Sequence, residues 1–184
     1  MNYYRILDNL EIKKRWFLGE INFPEEGDFW NYVMATIIKE PPSNLKVRVK
    51  VKGKKLDFTF GQFEVIVVNQ KVADLFNDKE VQKIPIQIEG ESESYFIIIT
   101  KNEIDAVDRE KSIYELWEKD NTIRPDLAGG FCVIMKMIVD PFKIKDITIT
   151  IFRLKYYGVA VIVSEKFKNN FERLNLKGIE FKKV

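Results

Sequence analysis

The chain has no histidine and a single cysteine in 184 residues. The first absence removes Ser-His-Asp and Cys-His catalysis together with every histidine metal site. The second removes an internal disulfide, zinc ribbons and thioredoxin-like thiol pairs, and it fits a reducing compartment. Long apolar runs are missing too. None approaches the roughly 18 residues that read as a membrane span. The opening MNYYRILDNLEIKKRW lacks the apolar core of a secretory signal. A cytoplasmic location with no membrane contact is the expectation. Neither GxGxxG nor the phosphate-loop pattern GxxxxGK(S/T) occurs, so no phosphate-cradling loop is indicated.

What is present suits a packed protein. Hydrophobic residues make up 46% and charged residues 32%, which argues against disorder. The 14 Phe, 7 Tyr and 3 Trp favour a sheet-rich core. The length is enough to bury such a core without metal or disulfide staples. Cys132 lies in the apolar run FCVIMKMIV, where a small buried hydrophobe is expected.

Two segments align without a gap: 66–86, IVVNQKVADLFNDKEVQKIPI, and 161–181, VIVSEKFKNNFERLNLKGIEF. Each reads as an aliphatic strand, a capping polar residue (Asn69, Ser164), an amphipathic helix and a second strand. The expected fold is therefore α+β: strand-rich mixed or antiparallel sheets, a few packed helices and two similar strand–helix–strand modules. The expected organisation is one domain over 1–184 with pseudo-repeat modules at 45–100 and 131–184. Strands are expected at 3–7, 16–21, 63–68, 81–88 and 95–100. A helix is expected over 25–39, where Phe29, Val33 and Ile37 share a face, Gly27 weakens the first turn and Pro41 stops it. Residues 102–120 fit either a helix or a bent strand pair. Residues 121–130 read as a loop.

Charge is unevenly spread. Residues 41–73 and 143–184 are basic, and 74–120 are acidic, with 13 Asp/Glu against 6 Lys/Arg. In LKVRVKVKG the valines alternate with Lys46, Arg48, Lys50 and Lys52, and LDFTF reads as the return strand of a basic 46–55 hairpin. Such a face can meet phosphates. It equally serves as lysine protection of an edge strand, and no aromatic residue interleaves to stack on bases. Asp105 and Asp108, with Glu110 nearby, have the chemistry for Mg²⁺ or acid–base work, or for solvated charge and local turns. Asp140-Pro141 initiates a turn. Arg153, within IFRL, is expected to be buried and paired with an acid such as Asp108. Trp117, between Glu115 and Glu118, is either a core residue or a partner anchor.

The opening YYRIL, the segments VQKIPIQIEG and VDREKS, the DPFKI turn, IFRL, and the tail VIVSEKF…LKGIEF stand in a telling order. In that order and spacing the chain resembles the immunity proteins of bacterial polymorphic toxin systems, in the group numbered eleven. The resemblance implies a non-catalytic α+β protein that needs no cofactor or metal. It would bind a cognate toxin domain and neutralise it by stoichiometric occlusion. The acidic stretch is the expected contact surface, since an acidic patch steers a cationic partner to it. Its candidates are Glu89, Glu91, Glu93, Asp105, Asp108, Glu115, Trp117 and Glu118. The alternatives are a carboxylate-dependent, metal-assisted hydrolase and a nucleic-acid-binding module using the 46–55 hairpin; no nucleic-acid partner is expected.

Overall fold

Short aliphatic runs bounded by turn residues, such as IVVN, YFIIIT and VAVIV, make strands that are covered on both faces. The computed structural model describes residues 2–25, 29–144 and 148–184. Among them are thirteen strands and three short α-helices. A six-stranded sheet runs, in spatial order, β2 (Phe17–Ile21), β3 (Lys46–Val51), β6 (Val81–Ile88), β7 (Tyr95–Thr100), β5 (Ile66–Asn69) and β4 (Phe58–Phe60). A five-stranded sheet runs β13 (Ile179–Lys183), β1 (Tyr3–Asp8), β12 (Tyr157–Ser164), β11 (Ile151–Leu154) and β8 (Glu103–Ile104). A ribbon of β9 (Ile113–Leu116) and β10 (Phe131–Lys136) stands apart. The helices are α1 (Phe29–Val33), α2 (Gln70–Ala73) and α3 (Glu165–Arg173). The fold is α+β and strand-rich, as expected.

The two aligned segments form matching modules. In each, a strand leads through a capped helix to a second strand, and a third strand lies antiparallel between the two. β7 separates β5 from β6; β1 separates β12 from β13. Outside each first strand lies another antiparallel neighbour, β4 beside β5 and β11 beside β12. The intervening strand follows its module in one case and opens the chain in the other. Asn69 accepts a hydrogen bond from the Val72 amide at 3.2 Å, and Ser164 accepts one from the Phe167 amide at 3.4 Å, each satisfying an orphan helix donor.

The modules close on each other. Phe58, Ile66, Val68 and Ile98 of the larger sheet share a core with Ile6, Ile151, Val161 and Val163 of the smaller. Phe76, just after α2, stacks on Phe167 of α3 with ring centres 4.9 Å apart and planes 16° from parallel. Such a pair adds about 0.5–1.5 kcal/mol beyond the area it buries. The loop entering β13 docks on β4: the Phe58 amide donates to the Lys177 carbonyl at 3.0 Å, and the Lys177 amide donates to Asp57 at 2.7 Å. Gly178 makes that approach possible. Its φ is +125°, and a Cβ there would lie 1.8 Å from the Phe58 carbonyl oxygen, so no side chain fits.

Several expectations need correcting. Within 25–39 the described helix is only Phe29–Val33; Gly27 lies outside the described residues. The Ile38 backbone is instead held by Gln82, whose side-chain amide accepts from its N–H at 2.9 Å and donates to its carbonyl at 2.8 Å. The basic 46–55 hairpin does not form. β3 pairs with β2 and β6, whereas β4 pairs with β5 at the far edge of the sheet. Turn residues at Gly53 do not impose a hairpin when each strand gains a better-buried neighbour elsewhere. Strand 63–68 starts later, at Ile66, after a 3-10 turn over Gln62–Glu64. Residues 102–120 form strands, yet β8 joins β11 and β9 joins β10.

Candidate partner-binding groove

Three segments distant in sequence meet around a groove of about 750 Å³. One wall is α1 and the residue after it, carrying Trp30 and Met34. The second is the β11–β12 turn, carrying Tyr156 and Val159. The third is the loop from Trp117 to Phe131. Trp30 is 47% exposed, Trp117 36% and Tyr156 52%. Large aromatic side chains are thus left open on all three walls.

Local chemistry holds each wall in place. The β11–β12 turn sits on Arg153, which is 1% exposed and donates from Nη1 to the Gly158 carbonyl at 2.6 Å. Burial pushes the guanidinium down to about 10, opposed by Glu64, so it remains charged at neutral pH. Its Nε and Nη2 have no hydrogen-bond partner. Tyr156 has φ +67°, a conformation in which Gly or Asn is the low-strain choice. Its carbonyl accepts from the Phe131 amide at 3.1 Å, tying the turn to the ribbon. The third wall is closed by backbone bonds, Trp117 N–H to the Gly130 carbonyl at 2.9 Å and Gly129 N–H to the Trp117 carbonyl at 3.2 Å. Inside that loop Asn121 accepts from the amides of Ile123 and Arg124, and Arg124 grips Asp126 through two nitrogens at 2.9 and 2.7 Å. A loop that satisfies its own polar groups needs little further ordering when a partner arrives.

The eight residues expected at a contact surface fall into three places. Glu89, Glu91 and Glu93 lie at the β6–β7 turn. Asp105 and the rest lie past the other end of β7, a strand whose six residues span about 20 Å. Glu91 pairs with Lys55. Glu93 accepts from Asn69 at 3.0 Å and from the Tyr95 hydroxyl at 3.4 Å. Burial, then Glu93 and Glu91, push the Tyr95 phenol well above its ordinary value. Asp105 lies 3.6 Å from Arg109, whose guanidinium covers the Phe131 ring at 4.7 Å. Asp108 accepts from the Glu110 and Lys111 amides, both at 3.1 Å, and from Lys111 Nζ at 2.9 Å. Those bonds, led by the Lys111 side chain, hold its carboxyl below the ordinary 3.8. Of the eight, only Trp117 lines the groove itself; Glu115 and Glu118 are its neighbours along the chain.

Four further expectations are settled by the structure. Arg153 is buried but does not pair with Asp108, because Asp108 is occupied by its own loop. Cys132 is exposed: in the two-stranded β9–β10 ribbon Phe131 and Ile134 are buried, and a register irregularity between Phe131 and Val133 leaves Cys132 outside. Trp117 is half-exposed and outside the buried clusters. Asp140 does start a turn, accepting from the Phe142 amide at 3.0 Å. Among the described residues no group of three or more Cys, Asp or Glu is placed to hold a metal ion, so the hydrolase alternative lacks its carboxylate cluster there. No helix among them is long and apolar enough to cross a membrane.

Trp30, Met34 and Tyr156 are absent from the sequence-derived candidates. One signal for them was readable: KYYG between two strands puts an aromatic residue in a turn where Gly, Asn or Asp is usual.

The described residues thus form a strand-rich α+β scaffold with an open, partly aromatic groove. The model of the immunity protein family Imm11 matches residues 75–184, more than half of the chain, and the chain belongs to that family. The matched segment contains the second and third walls of the groove. No curated protein matches the chain.

Proposed function

We propose that this chain binds a cognate toxin domain in the cytoplasm of the producing cell and neutralises it by stoichiometric occlusion, without catalysis or cofactor. The observation that carries this reading is membership of the immunity protein family over residues 75–184. The acidic stretch within that segment supports it further, because complementary charge accelerates encounter with a cationic partner. Glu89, Glu91, Glu93, Asp105, Asp108, Glu115, Trp117 and Glu118 are the candidate contacts, with the three at the β6–β7 turn ranked last because Glu91 and Glu93 already engage internal partners. The test is co-expression with the toxin domain encoded beside this chain. Restored growth and a one-to-one complex on size exclusion support the reading. Continued killing, with no complex between the purified proteins, overturns it.

The exposed row Lys46, Arg48 and Lys50 on β3 favours a second reading, non-specific nucleic-acid binding. It requires retention on heparin that falls steeply with salt.

A further inference from the structure

We propose that the groove between α1, the β11–β12 turn and the 117–131 loop is where the toxin domain docks, and that it takes an apolar anchor side chain flanked by lysine or arginine. This rests on the immunity reading above and adds the surface and the chemistry of its occupant. Three observations carry it.

The floor and walls are apolar and open. Tryptophan, tyrosine and methionine are the residues enriched at the centres of protein interfaces, and Trp30, Trp117, Tyr156 and Met34 converge here from three segments. The exposed aromatic surface continues beyond the groove. Phe29, next to Trp30, stacks on Phe63 with ring centres 3.8 Å apart, and Phe63 is itself exposed with φ +53°.

The second wall is held in a costly arrangement. Tyr156 occupies a positive-φ position without glycine, and Arg153 brings a buried, incompletely bonded charge under the same turn. Strain and buried charge of this kind collect where a surface must keep one shape. Gly158 contributes in another way: a Cβ there would meet Met34 Sδ at 3.0 Å, so its bareness lets the first and second walls touch.

Unpaired acids lie at the groove and beside it along the chain. Glu103 lines the groove, and Glu115, Glu118 and Asp120 lie within three residues of Trp117. None of these four has an ion-pair partner among the described residues. Of the nearby cations, Arg124 is committed to Asp126, which leaves Lys119 and Lys155. Unpaired carboxylates around an apolar floor fit an apolar side chain with basic neighbours, and disfavour an acidic or purely polar segment.

The test uses the full chain and the purified, catalytically disabled toxin domain encoded beside it. Two of the three tryptophans, Trp30 and Trp117, lie in the groove, and Trp16 is buried. Binding should therefore shift intrinsic fluorescence and shield it from acrylamide. Trp117→Ala and Trp30→Ala should each weaken Kd by about 30-fold, mainly through faster dissociation. Glu115→Lys with Glu118→Lys should slow association and flatten its salt dependence. Hydrogen exchange of the wild-type complex, which does not depend on any variant folding, should show protection across the α1 segment, the 115–131 loop and the 154–159 turn. A wild-type complex that forms with protection elsewhere, and with both tryptophan variants within twofold of wild type, overturns the groove and leaves the immunity reading intact. A wild-type chain that neither binds nor rescues overturns both.

Discussion

Two aromatic clusters in this molecule differ in one respect that separates their roles. Phe58, Phe76, Phe167 and Phe171 lie between the two modules and are almost fully covered. Trp30, Trp117 and Tyr156 line one groove and remain open. The closed cluster gains its free energy when the chain folds. The open one leaves apolar area uncovered in the folded chain, a gain that the proposed docking would make. The surrounding charges differ in the same sense. At the β6–β7 turn Glu91 and Glu93 are engaged by Lys55, Asn69 and Tyr95, whereas Glu103, Glu115 and Glu118 beside the open cluster have no ion-pair partner among the described residues. Under the proposed docking, unspent charge next to uncovered apolar area, rather than charge count, marks the binding surface.

The sharpest way to break this contrast is to attack the closed side. Gly178→Ala forces a Cβ onto the Phe58 backbone at a position with φ +125°. It should cost at least about 4 kcal/mol, the range of exceptional single-site losses. Urea unfolding should show a collapsed midpoint or no cooperative transition, and a native-like midpoint would refute the docking geometry. Phe167→Ala removes one ring of the stacked pair and should cost about 3–5 kcal/mol, measured the same way. On the open side the pattern should invert. Trp117→Ala should change stability by under about 1 kcal/mol, yet weaken toxin binding by about 2 kcal/mol, read by calorimetry beside thermal unfolding. A large stability loss at Trp117 would erase the distinction between the clusters.

Smaller effects compare the two acidic regions. Glu115→Lys with Glu118→Lys should reduce the association rate several-fold at low salt, while Glu89→Lys with Glu93→Lys should leave it within about twofold; stopped-flow at two salt concentrations distinguishes them. Smallest is the pH response. Asp108, Asp126 and Asp78 are held below the ordinary 3.8 by Lys111, Arg124 and Lys83 respectively. A depressed carboxylate adds stability above its unfolded pKa and loses it as pH falls through the folded one. Since Asp78 and Asp126 are exposed and Asp108 is only partly covered, thermal stability should stay nearly flat from about pH 5 to 8, where the absence of histidine removes the usual titrating group, and decline modestly below about pH 4. A steep loss near pH 6 would contradict this.

How much was legible in advance depended on the range of the interaction. Strands 81–88 and 95–100 were readable to the residue, because an apolar run bounded by turn residues declares itself locally. The caps Asn69 and Ser164 were readable for the same reason. The 46–55 hairpin was misread because local alternation does not name a strand's partner. Cys132 was misread because burial depends on whether a second layer covers the ribbon. Of the groove, Trp117 and its acidic neighbours were visible as an unusual local grouping. Trp30, Met34 and Val159 were not, since nothing within a short window tells an open aromatic from a core one.

The sequence by itself determined the α+β class, the paired strand–helix–strand modules, the exclusion of histidine and thiol-pair chemistry, and the family resemblance. These follow from composition, short-range periodicity and motif order, which are properties of neighbours along the chain. Tertiary structure alone decided which acids are spent on internal partners, which aromatics remain uncovered, and that three segments more than eighty residues apart at their extremes build one groove. Those are outcomes of strand pairing and of how the sheets cover each other, and burial and charge pairing exist only once that packing is made.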